Sequence, residues 1–188
     1  MAVYVNTFFE ERVETLFGLG ALVERAFSSA GLDYRIVGGL AVYLYVEERE
    51  PDAGRLTKDI DMVVHRDDVA AIAKAVEPYG LQHRHADGRH MLLQAGQPAR
   101  RAVHMFFAGE KVSREYAERV PDIGPPRMIH GVRLAPVRDL VRMKLTSFRA
   151  KDEMHLKDLD EAGIITPEIE AGLSTPHRQR LAQVRARD

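Results

Sequence analysis

The chain has 188 residues, 45% of them hydrophobic and 29% charged, with a formal net charge of −1 and no cysteine. This balance predicts a globular protein with one sizeable core, and it excludes disulfides, thiolate metal sites and any bulk electrostatic pull toward nucleic acid or anionic membrane. Binding of a polyanion would need a local patch. The opening "MAVYVNTFFEERVETLFG" carries early acids and no basic segment ahead of an apolar run, so no signal peptide is expected. No apolar stretch approaches the ~20 residues that span a bilayer. The expectation is a soluble, cytoplasmic protein with no membrane partner.

Residues 7–30 place Phe8, Val13, Leu16, Phe17, Leu22, Val23 and Phe27 at three- and four-residue steps, an amphipathic helix with Gly31 suited to its C-cap. "DYRIVGG" reads as a short strand ending in glycines, and "LAVYLYVEERE" as a helix closed by Pro51. After the loop "PDAGR", "TKDIDMVVH" is a second strand. Asp67 is an N-cap candidate for the alanine-rich helix in "RDDVAAIAKAVEPYG", which stops near Pro78 and Gly80. "HMLLQ" and "RRAVHMFFAG" are two further strands, joined as a hairpin by the turn-prone "AGQPA".

Residues 110–127 read as irregular, broken by Pro121, Gly124, Pro125 and Pro126. "RMIHGVRLA" alternates and turns at Gly131. From Pro136 the pattern is helical through Leu140, Met143, Leu145, Phe148, Leu156 and Leu159, and two short helices follow, each opening on Thr-Pro. The order predicts an α/β (α+β) fold: a mixed sheet flanked by helices over 1–135, and a helical part over 136–188 packed on it.

The chemistry centres on "LTKDIDMVVHRDD". On a strand, Asp59 and Asp61 point to one face, ~6–7 Å apart along the chain. Two such carboxylates repel and are expensive to bury unless a cation sits between them. A bare D-x-D is more often an exposed strand end. Here, however, "VGGLA" supplies a strand, two glycines and a helix start, and Gly38 and Gly39 would let backbone amides approach a phosphate.

These residues resemble the nucleotidyltransferase superfamily of the DNA polymerase β type, and within it the small bacterial proteins related to the AbiEii toxins. The resemblance runs from Tyr34 to Leu159 through "IVGGLAVYLY", "RLTKDIDMVV", "RAVHMFFAGEKV" and "LAPVRDLVRMKLTSFRAKDEMHLKDL". The glycines and aspartates stand farther apart than in minimal versions of the fold, which fits an extended "EEREPDAGR" loop. The resemblance implies a nucleotidyltransferase fold and transfer of a nucleoside monophosphate from an NTP, such as ATP, to an acceptor among RNA (tRNA included), protein or small molecule. It also implies an antitoxin-like partner chain.

By the same resemblance, Gly38 and Gly39 pack against the nucleotide phosphates, and Asp59 and Asp61 hold Mg²⁺ (or Mn²⁺) on the triphosphate. Arg55 and Thr57 contact phosphate, and Lys144 reaches the β- and γ-phosphates. A surface lysine on an amphipathic helix is an equal alternative for Lys144. Arg149, Lys151 and Asp152 read instead as a helix-surface salt-bridge set.

The pattern departs at one point. The resembling enzymes carry a third carboxylate on a nearby strand, and the strand "RRAVHMFFAG" has His104 there. His104 is then a catalytic base or a ligand to a borderline metal such as Mn²⁺ or Zn²⁺, or the mark of a nucleotide-binding regulatory relative, or a plain strand histidine with Glu110 or another acid supplying the carboxylate. His155 likewise stands where an acid is expected. The histidines of "HRHADGRH" (83–90) read as a polar hairpin connection, and Arg178, Arg180, Arg185 and Arg187 as a solvated helix face rather than an RNA contact.

Overall fold

The computed structural model describes residues 2–55, 57–96 and 102–187, with side chains from Val13 onward. The first element, α1 (Ala2–Ala30), ends at Gly31, whose φ of +65° is the left-handed conformation of a helix C-cap. A three-residue strand, β1 (Arg35–Val37), leads straight into α2 (Gly38–Arg49). Residues Gly38 to Val46 of α2 are all buried, so this helix runs through the middle of the core and shows no polar face until its last turn.

β2 (Ile60–Val64) buries Ile60, Met62 and Val64 completely. It starts one residue after Asp59, so the first carboxylate lies at the strand mouth and the second inside the strand. The following segment does not start as expected. Arg66–Asp68 forms a 3-10 turn before α3 (Val69–Val76), and neither Asp67 nor the N-cap Asp68 makes a side-chain capping bond. Two longer strands, β3 (Leu81–Ala86) and β4 (Arg89–Gln94), form a hairpin turning at Asp87-Gly88. β4 then pairs antiparallel with β5 (Val103–Phe107), although most of the "AGQPA" link lies outside the described residues.

A second small hairpin, β6 (Arg127–Ile129) and β7 (Val132–Leu134), turns at Gly131 as the sequence suggests. The seven described strands make one mixed sheet in the order β3-β4-β5-β2-β1-β7-β6. At its centre β2 runs antiparallel to β1 and parallel to β5, with Asp61 opposite both Val37 and His104. This register sets the strand-to-helix glycine turn, the carboxylate and the histidine side by side.

The helical stretch after Pro136 is not continuous. α4 (Val137–Ser147) ends at Phe148, which adopts left-handed dihedrals (φ 44°, ψ 42°), and α5 (Ala150–Glu161) restarts from the N-cap Arg149. The Asp152 carboxylate accepts from the Arg149 backbone N–H at 3.3 Å and so caps the new helix. Both helices pack on α2. Thr166 accepts from the Ile169 N–H and starts α6 (Pro167–Ala171). The last helix, α7 (Thr175–Arg185), packs on α4 and α5, where Arg180 donates to the Leu145 and Thr146 carbonyls and Arg185 pairs with Asp160. Those arginines fasten the fold to itself. No described helix is long and apolar enough to cross a membrane.

Candidate active site

At the sheet centre the two glycines of α2 are pressed against polar side chains. Gly38 has φ +70°, and a Cβ there would lie 2.1 Å from Asp61 Oδ2. A Cβ on Gly39 would lie 2.8 Å from Thr57 Oγ1. Neither position admits a larger residue without moving the site. Val37, the N-cap of α2, makes no side-chain capping bond, so the first-turn amides of α2 have no side chain serving them from the cap. Such a helix start favours an anion through its dipole and free N–H groups.

The carboxylates stand in front of that helix start. Burial first, and Asp59 second, push the Asp61 carboxyl above its ordinary range. Thr57 Oγ1 donates to Asp59 Oδ1 at 3.1 Å and fixes that carboxylate. His104 Nε2 lies 4.0 Å from Asp59 Oδ2, facing the pair from the next strand but beyond direct hydrogen-bond range. Glu110 is not free to replace the missing acid, because Arg66 grips it through both Nε and Nη2.

On the opposite wall the α4–α5 break folds Asp152 back onto Lys144. Eight residues of continuous helix would separate them by about 12 Å along the axis; here Lys144 Nζ is 3.1 Å from Asp152 Oδ1. Lys144 is 5% exposed and Asp152 fully buried, which rules out both a surface lysine and a surface salt-bridge set. Burial lowers the Lys144 pKa, and Asp152 pulls it back up. Burial alone would raise the Asp152 carboxyl, but hydrogen bonds from Arg149, Ser147 and Lys144 outweigh it and hold it below the ordinary carboxylate range.

His155 completes the cluster, with Nδ1 3.0 Å from Lys144 Nζ and Cε1 about 3.5 Å from where a Gly39 Cβ would stand. Burial, then Lys144, depress its pKa to about 4, so the ring is neutral and accepts from the ammonium. Such a histidine favours folding above its unfolded pKa of 6.5, and the benefit is lost as pH falls toward 4. Thermal melts at pH 7 and 5 should therefore show His155→Gln less acid-sensitive than the parent, by on the order of 2 kcal/mol. An unchanged pH dependence would contradict the assigned neutral ring.

Arg55, expected beside the phosphates, donates Nε to both oxygens of Asp158 on α5, each at 2.9 Å. In the β3–β4 hairpin His83 Nε2 and His90 Nδ1 are 3.0 Å apart, and His85 stacks on His90. Among the described residues no group of three or more His, Cys, Asp or Glu side chains is arranged to hold a metal by itself. Asp59 and Asp61 nevertheless fit Mg²⁺, which is held through one or two carboxylates and completed by substrate phosphates and water. A cation there would also relieve the repulsion that raises Asp61.

The cleft has two lobes that share Asp61 and Arg149. One is lined by Gly38, Lys144, Ser147 and Asp152, with Tyr116, Leu140 and Met143 supplying an apolar wall. The other is more polar, lined by Asp59, His104, Arg89, Lys111, Glu110 and Lys151. The loop between β5 and β6 contributes Val112 and Val120 to both. Sequence reading overlooked Ser147, which hydrogen-bonds Asp152 at 2.8 Å. The left-handed break at Phe148, which turns these groups inward, has no glycine to announce it.

Solved structures share this architecture. A nucleotidyltransferase-like antigenic protein from Paracoccidioides brasiliensis superposes with a TM-score of 0.59 at 18% identity, over 93% of this chain and 89% of its own. The fold is that of the nucleotidyltransferases. The structure of ANT(2")-Ia in complex with adenylyl-2"-tobramycin matches with a TM-score of 0.55 at 14% identity, covering 91% of this chain and 97% of its own. The Megavirus polyadenylate synthase matches at 0.54 and 10% identity over 87% of this chain and 36% of its own. No protein-family model matches the sequence, and no curated protein matches it. At these identities the nucleotidyltransferase architecture is what is shared, and the chemistry of this chain has to be argued from its own site.

Proposed function

We propose that the protein is a metal-dependent nucleotidyltransferase moving a nucleoside monophosphate from an NTP to a hydroxyl acceptor. The observation that carries this reading is the Asp59/Asp61 pair set against the start of α2, so closely that Gly38 cannot bear a Cβ beside Asp61 Oδ2. The triphosphate lies along the Gly38 and Gly39 amides, with Lys144, Ser147 and Arg149 forming the facing wall. Asp59 and Asp61 would hold Mg²⁺, which would supply positive charge against the triphosphate. Thr57 orients Asp59, and the Asp152 and His155 contacts hold Lys144 in place.

The acceptor enters through the lobe containing His104. Its oxygen forms a bond to the α-phosphorus, the bond from that phosphorus to the bridging oxygen breaks, and pyrophosphate leaves. His104 is the group placed to take the hydroxyl proton, because the strand offers no acid there and Glu110 is held by Arg66. Two structural neighbours are named for adenylyl products, adenylyl-2"-tobramycin and polyadenylate, which supports ATP as the first nucleotide to try. The resemblance to AbiEii-type toxins supports a toxin–antitoxin setting with a partner chain.

One observation favours a second reading, a nucleotide-binding regulatory protein: an imidazole stands where a third carboxylate would complete the metal site. The two readings separate at His104. Under ours, His104→Ala lowers the transfer rate about 10²-fold and leaves ATP affinity within about twofold. A neutral His104→Ala together with activity gained in His104→Asp would favour the regulatory protein.

A further inference from the structure

The lobe beside His104 carries charge that the transfer chemistry leaves unused. Its acidic side chains are committed: Asp59 and Asp61 to the proposed cation, Glu110 to Arg66. Arg149 is tied to Asp152. Arg89, Lys111 and Lys151 remain, all exposed and all lining the same lobe, and none forms an ion pair among the described residues. They come from three separate pieces of chain: the start of β4, the loop after β5 and the first turn of α5. No local sequence run produces this patch. The sheet order and the α4–α5 break assemble it around the point where the acceptor hydroxyl would stand.

Three like charges facing one cavity repel each other, an arrangement that an anionic ligand relieves and a cationic one worsens. With the chain at a net −1 overall, the field is local to this lobe. We infer that the acceptor bears phosphate groups flanking its reactive hydroxyl, held by Arg89 and Lys111 on one side and Lys151 on the other. This rests on the nucleotidyltransferase reading of the site and narrows its acceptor. The ring surface made by His90 stacked on His85 with centroids 4.1 Å apart borders the same lobe and suits a neighbouring base if the phosphates belong to a strand.

The test is calorimetric titration of the full chain, without nucleotide, with three probes: a 12-nucleotide single-stranded RNA, ribose 5-phosphate and tobramycin. The double variant Arg89→Ser/Lys111→Ser is compared with the parent; Lys151 is left intact because it also faces Asp61. Binding of the RNA, weakened about tenfold in the double variant with a salt dependence flatter by about 1.4 in slope, supports a strand-borne phosphate. Binding of ribose 5-phosphate alone, lost in the double variant, supports a small phosphorylated alcohol. If neither anion binds, if the double variant binds both as well as the parent, or if tobramycin binds in their place, the inference is overturned. ATP affinity, measured separately on both proteins, tests the reading of the catalytic site and not the charge of its acceptor.

Discussion

Asp61→Asn is expected to lower nucleotidyl transfer by roughly 10³-fold or more and, in the same protein, to raise the melting temperature by a few degrees. Under the proposed reading, the loss follows from removing one of the two carboxylates that would hold the cation. The gain in stability follows from the same group's burial. Burial and the neighbouring Asp59 raise the Asp61 pKa above its ordinary 3.8. A raised carboxyl binds its proton more tightly in the folded chain than in the unfolded one, so stability falls as pH rises from 3.8 through the raised value. Above that raised value the full penalty is present. Asparagine keeps the shape and removes the charge. The check is a thermal melt at pH 7 without nucleotide or metal, beside a transfer assay. A variant that loses activity and stability together would mark Asp61 as a structural carboxylate.

Asp152→Ala should do the reverse, costing about 3–5 kcal/mol of stability, the scale of leaving a buried charge without its partner. In a chain of this size that corresponds to a fall in melting temperature of roughly 6–20 °C. Asp152 is fully buried and accepts from Lys144, Ser147 and both the backbone and side chain of Arg149. Its removal strands the Lys144 ammonium and uncaps α5. Because its carboxyl is held below the ordinary 3.8, its contribution is present above that pH and is lost as pH falls below it. Lys144→Met in the Asp152→Ala background removes the stranded charge and should recover part of the loss. If Asp152→Ala melts within about 1 °C of the parent, the buried cluster does not hold the α4–α5 break.

The sequence made the sheet strands around the site legible because their patterns are local. "IVGG" before an apolar helix, and alternation through "DIDMVV" and "VHMFF", each follow from period-two burial or from a glycine turn. Strand parity placed the carboxylate pair on one face, the glycines followed from the strand-to-helix turn, and the resemblance pointed to His104. On the far wall the resemblance pointed to Lys144, but its burial and its pairing with Asp152 were not legible. Lys144 and Asp152 sit in what reads as one amphipathic run, and the reversal between them depends on Phe148 accepting left-handed dihedrals. Only packing of α4 and α5 on α2 makes that conformation worthwhile. The Arg55–Asp158 pair was not legible for a related reason: the partners are 103 residues apart in sequence, and no local pattern signals such a pair. The charges of the lobe beside His104, spread over residues 89, 111 and 151, were invisible until the sheet order placed them together.

The most direct test of the account is transfer of label from each of the four α-³²P-labelled NTPs, with Mg²⁺ or Mn²⁺, to total RNA and protein extract. The account predicts label joined to an acceptor with at least one NTP, abolished by EDTA and absent with Asp59→Asn/Asp61→Asn. Nucleotide binding without transfer for all four NTPs and both metals, or transfer that survives loss of both carboxylates, would contradict it.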